Sequence, residues 1–116
     1  MLNAVNNTNT VPGLKDAPTP YDQASALLNN MTEVLKVLQE FPSDKNLLQR
    51  LNEDLAGLQN IENQLSVQAG YPTAAHQIGV IGSVDLAALN AAGGVTPANI
   101  AQANTDISYL WGTLAQ

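Results

Sequence analysis

The sequence predicts an all-α fold, and three observations predict it. Leucine and alanine, sixteen of each in 116 residues, supply most of the apolar side chains, and both favour helices. An all-β chain would need more valine, isoleucine, threonine and aromatic residues. Two apolar stripes flank the short break Phe41-Pro42-Ser43-Asp44: Ala24, Leu28, Met31, Leu35 and Leu38 before it, then Leu48, Leu51, Leu55, Leu58 and Leu65 after it. Spacings of three and four place such residues on one face of a helix. Ile100, Ala103, Ile107, Leu110, Trp111 and Leu114 form a third face near the C-terminus. The expected fold is an antiparallel helical hairpin, one or two short helices, and a C-terminal amphipathic helix, preceded by an extended N-terminal arm.

Residues 1–18 form that arm. They are rich in Asn, Thr, Pro and Gly and show no helical or strand period. The small helical domain is expected over 19–116, with the hairpin at 19–70. Thr19 caps the first helix, Pro20 suits its first position, and Asp22 completes a capping box. Pro42 ends it, because a residue before proline avoids the helical region. Ser43 is the expected N-cap of the second helix, with Asp44 favourable at the positive end of its dipole. Ile61 widens the stripe where Glu62 interrupts it, and Gly70-Tyr71-Pro72 ends the helix near Ala69. Short helices are expected over 73–92: one over 73–81 weakened by Gly79, and one over 84–92 capped by Ser83 with Asp85 in its first turn. Gly93-Gly94 stops the second. The terminal helix occupies 96–115, with Thr96 as cap and Pro97 in first position.

Charge excludes several functions. Four basic and ten acidic residues give a net charge of −6, and every Lys and Arg lies within the first 50 positions. Nucleic-acid binding draws its affinity from basic residues on phosphates, so no nucleic-acid partner is expected. An anionic membrane surface is excluded for the same reason. No run reaches the ~20 apolar residues that span a bilayer, so no stable membrane insertion is expected. Residues 1–10 show neither a basic nor an apolar signal region. Without one, the sequons at Asn6 and Asn30 are chance matches. The absence of cysteine rules out disulfides and thiolate sites.

Polarity comes instead from thirteen Asn and nine Gln. Amides cost less to bury than charges. A surface rich in them repels its own copies weakly, which suits repeated subunit contacts.

No catalytic, cofactor-binding or metal-ligating residue is assigned. His76 is the only histidine, and neither Ser66 nor Ser83 sits in a nucleophile elbow. One histidine without cysteine is a poor zinc set. Glu53, Asp54 and Glu62 lack calcium-loop spacing and read as a solvated helix face. Gly79, Gly82, Gly93 and Gly94 match no phosphate loop. The apolar stretch 78–95 reads as buried short helices in preference to an interfacial membrane segment. Trp111 reads as an anchor of the last helix, with a partner contact as the alternative. An enzyme would require carboxylates such as Glu62 and Asp85 to converge.

Residues 24–68, with Pro42-Ser43-Asp44 between the two stripes, resemble the helical hairpin of type III secretion needle and inner-rod subunits. The resemblance implies a subunit of a needle or rod. The chain departs from that pattern by continuing through a further helix, where needle subunits end soon after the second.

The function expected from these features is that of a non-enzymatic structural subunit. A bacteriophage or viral virion accessory protein (decoration, collar or tail component) is the leading setting, and the virion the expected location. The partners would be further copies or other structural proteins, with the arm docked on a neighbour. A secretion-apparatus needle or rod subunit and a soluble helical adaptor or chaperone are the alternatives.

Overall fold

Burial of one apolar stripe per helix dictates the architecture. A computed structural model describes residues 19–115, all of whose regular elements are helical. The arm expected over 1–18 lies outside the described residues.

Helix α1 spans Pro20–Glu40. Thr19 and Asp22 form a reciprocal capping box: the Asp22 amide donates to Thr19 Oγ1 at 3.1 Å, and the Thr19 amide donates to Asp22 Oδ2 at 3.3 Å. Two otherwise orphaned N–H groups are thereby satisfied. The break at 41–44 is a β-turn closed by the Asp44 amide on the Phe41 carbonyl at 3.1 Å, with Pro42 at the position where its fixed φ is favourable.

Helix α2 spans Lys45–Asn63. Its N-cap is Asp44 and not Ser43. Asp44 is extended and accepts from the Asn46 amide at 2.9 Å, whereas Ser43 lies inside the turn. The helix continues as a π-helical turn, Gln64–Gln68, and ends before Gly70, whose φ of +82° only glycine adopts without strain. The buried face is Leu47, Leu51, Leu55, Leu58, Ile61 and Leu65. Leu47 therefore replaces Leu48, which is only partly buried, because Leu47 stands one helical repeat before Leu51.

The two short helices expected over 73–92 are one continuous helical stretch. It comprises α3, Ala74–Val80, a π-helical segment, Ile81–Leu86, and α4, Ala87–Asn90. Ser83 is not a cap. It lies within the stretch, and its hydroxyl donates to the Gly79 carbonyl at 2.7 Å. Neither Gly79 nor Gly82 breaks the helix, because Ala74, Ile78, Ile81, Leu86 and Leu89 bury its inner face. Gly82 permits a close approach: a Cβ there would stand 3.1 Å from the Leu55 side chain. The start is capped across sequence, with the Ala75 amide donating to Ser66 Oγ at 3.2 Å.

Helix α5 spans Pro97–Leu114, capped by Thr96, whose side chain accepts from the Asn99 amide at 3.1 Å. Its buried residues are Ile100, Ala103, Ile107, Leu110 and Leu114. Trp111 packs against the core while remaining partly exposed. The most extensive helix contact is α1 with α2, and α5 then packs on α1, on α3 and on the π-helical segment. One contiguous apolar cluster joins every helix.

Candidate functional site

Apart from Met31 and Asp85, the buried core is filled by aliphatic side chains. None of the five aromatic residues is fully buried: Tyr21, Phe41 and Tyr109 are exposed, and Tyr71 and Trp111 are partly so. Aromatic rings carry the largest apolar area per residue, so the exposed ones leave apolar surface in contact with water. Phe41 is 58% exposed and Tyr109 66%. Val37 lies one turn before Phe41 and is exposed as well. Tyr21 and Tyr71 meet with ring centroids 6.5 Å apart.

Two grooves adjoin the α1–α2 turn and share Pro42 and Val95. One, of ≈ 390 Å³, is lined by Gln39, Pro42, Val95, Thr96, Pro97 and Ile100. The other, of ≈ 630 Å³, runs along Leu48, Leu89 and residues 90–94. Among the described residues Lys45 is the only ionisable side chain lining either. Such walls offer apolar contact and amide hydrogen bonds, with no pair of groups to move a proton.

Charge contributes little to cohesion. Among the described residues one ion pair forms, Lys36 with Glu33 at 4.0 Å on the exposed face of α1, where screening leaves it little weight. Amides tie the helices instead. Asn52 on α2 and Asn90 on α4 exchange two hydrogen bonds, at 3.1 and 3.0 Å. The Asn30 amide donates to Asp54 Oδ2 between α1 and α2. Burial still raises the Asp54 carboxyl above its ordinary range, against the opposing pull of that hydrogen bond and of Arg50.

Asp85 is the exception in the core. Its residue is 1% exposed, and among the described residues neither carboxylate oxygen has a hydrogen-bond partner. Burial, reinforced by the Asp106 carboxylate on α5, pushes it up to about 8. Both effects favour the protonated form of Asp85. Asp85 is thus no first-turn residue of a capped helix. Asp106, and not Glu62, is the carboxylate that acts on it.

The other residues singled out in the sequence stay apart. His76 is exposed on α3. Ser66 and Ser83 are engaged with backbone groups, and Glu53 accepts from Gln49 at 3.2 Å on the outer face of α2. Among the described residues no three His, Cys, Asp or Glu side chains gather as a metal set, and no helix is long and apolar enough to cross a membrane.

A continuous-helix reading would have found Asp85. Ala74, Ile78, Ile81, Asp85 and Leu89 keep spacings of four, three, four and four, which carries position 85 onto the buried face. Comparison with protein-family models, curated proteins and solved structures finds no match to this chain.

Proposed function

We propose that this chain is a non-enzymatic structural subunit of a larger assembly, with a bacteriophage or viral virion accessory role as its setting. The observation that carries the reading is the exposure of three of the five aromatic residues, Tyr21, Phe41 and Tyr109. Aromatic residues are enriched where proteins meet, and exposed rings are candidate anchors for a partner. The amide-rich, ion-pair-poor surface fits the same role, because it lets like surfaces approach without stranding charges. In this reading α1 and α2 form an antiparallel hairpin that serves as a rigid body. Its turn end, with Val37, Phe41 and the adjoining grooves, supplies the contact, and residues 1–18 dock on a neighbouring subunit.

The exposed Val37 and Phe41 also favour a second reading, a helical adaptor whose apolar face receives a partner helix. Light scattering after size exclusion separates the two. A structural subunit is expected to give masses that are multiples of 12.2 kDa and rise with concentration. Phe41→Glu and deletion of residues 1–18 should each reduce assembly while helicity is unchanged. A strict monomer at every concentration would remove self-assembly and leave the adaptor. Assembly that survives the deletion would remove the arm from the mechanism.

A further inference from the structure

The seam between α5 and the 74–90 helical stretch holds an arrangement that packing alone does not explain. Asp85 occupies a core position of that stretch, in register with Ile78, Ile81 and Leu89, and is buried among aliphatic side chains. A leucine there would complete the apolar face. The carboxyl instead leaves two oxygens without a donor, a situation that costs stability if the group is ionised. It also lies in the π-helical segment, Ile81–Leu86, and π-turns inside helices occur often at functional positions.

We propose that Asp85 acts as a proton-operated latch, holding α5 against the 74–90 stretch while its buried carboxyl carries a proton and loosening that seam when the proton leaves.

The surroundings leave the proton as the available partner. The elements packed against the π-helical segment are α5, α3, α4 and α2. Their charged or titratable side chains are Asp106 and Tyr109 on α5, His76 on α3, and Lys45, Arg50, Glu53, Asp54 and Glu62 on α2; α4 has none. Only Asp106 acts on Asp85. Among the described residues no cationic side chain acts on Asp85, so loss of the proton sets a buried charge against the like charge of Asp106 on α5. Repulsion and desolvation then act in the same direction, against docking of α5. The step is a simple acid dissociation: the O–H bond of Asp85 breaks, the proton passes to water, and both carboxylates remain anionic.

The direction of the effect follows from linkage. A carboxyl that holds its proton more tightly folded than unfolded stabilises the fold in acid. That contribution shrinks as pH rises from the unfolded-state value toward the folded-state one. Across that window the unfolding equilibrium constant is expected to rise by up to ~10-fold per pH unit.

Trp111 lies on α5 and packs partly into the core, so its fluorescence reports docking of that helix. Urea titrations of the full chain between about pH 5 and pH 9, followed by Trp111 emission and by far-ultraviolet circular dichroism, test the proposal. The wild-type midpoint should fall as pH rises, and Asp85→Asn should flatten the profile. A wild-type midpoint that stays level or rises, or an Asp85→Asn protein that keeps the wild-type slope, overturns it. Carbon-13 carboxyl titration of the wild-type protein provides a readout that does not depend on a folded variant. Asp85 should titrate well above the ordinary carboxyl value of ~4, and Asp106→Asn should bring that midpoint down. Titration of Asp85 near the ordinary value overturns the latch. A midpoint unmoved by Asp106→Asn overturns the part given to Asp106.

Discussion

The α1–α2 pair and the seam of α5 with the 74–90 stretch are built from different materials. In the first, leucine meets leucine: Leu28, Leu35, Leu38, Leu51 and Leu58 are fully buried. Thr19 and Asp44 cap the helices with their own side chains. In the second, an acid occupies a core position, the helix passes through a π-turn, and Gln77 Oε1 joins both Asp85 oxygens as buried acceptors without donors. The first region is not wholly free of such groups, since Ser25 Oγ on α1 is also unpartnered. The contrast still teaches how the molecule divides its labour. One pair of helices is consistent at every level from capping to packing. The other seam gives up apolar packing at one position and gains a dependence on pH.

The largest expected effect lies in the first region. Leu58→Ala removes a fully buried side chain and should cost about 2–5 kcal/mol at every pH, read as a fall in the urea midpoint. A loss below ~1 kcal/mol would mean that the pair is packed more loosely than its burial implies.

The pH profile sharpens the comparison from the other side. Burial and Asp106 raise Asp85 from 3.8 to about 8 in the folded protein, so its stabilising contribution is complete in strong acid. It is lost progressively as pH climbs through that interval, by up to about 1.4 kcal/mol per pH unit. The raised Asp54 carboxyl adds to the same slope. Stability that rises between mildly acid and neutral pH would contradict the raised Asp85 carboxyl.

A smaller effect is expected at Gly94, in the link between the two halves of the second region. A Cβ there would stand 1.8 Å from the Ala88 carbonyl oxygen. Because that atom is backbone, Gly94→Ala must displace the segment before α5, at about 1–3 kcal/mol, measured by thermal unfolding. The smallest effect lies in the amide pair that ties the regions together. Asn52→Ala breaks both bonds to Asn90 but leaves Asn90 donating to the Leu86 carbonyl at 2.7 Å. It should cost about 1 kcal/mol, and a double-mutant cycle with Asn90→Ala should return most of it as coupling.

The two regions also differ in how far the chain reveals them. Helix ends are local events, so Thr19 with Asp22, Pro42, Gly70, and Thr96 with Pro97 were legible from neighbouring residues. The boundary of α2 was legible only to within one residue, because Ser43 and Asp44 are both capping types and turn geometry decides between them. The 74–90 stretch misleads for a physical reason. Gly79, Gly82 and Ser83 are locally poor helix residues, and Ser83 before Asp85 imitates a capped start. Packing on α2 and α5 overrides that preference. The pairing of Asp85 with Asp106 and of Asn52 with Asn90 joins residues 21 and 38 positions apart, and no local pattern encodes either. The exposure of Tyr21, Phe41 and Tyr109 was equally hidden, since composition counts aromatic rings without placing them.

Amide hydrogen exchange of the wild-type protein at about pH 5 and about pH 8, corrected for intrinsic exchange, tests the division most directly. Protection in α5 and the 74–90 stretch should fall at the higher pH by more than protection in α1 and α2. An equal change in both regions, or a larger loss in α1 and α2, would contradict the account.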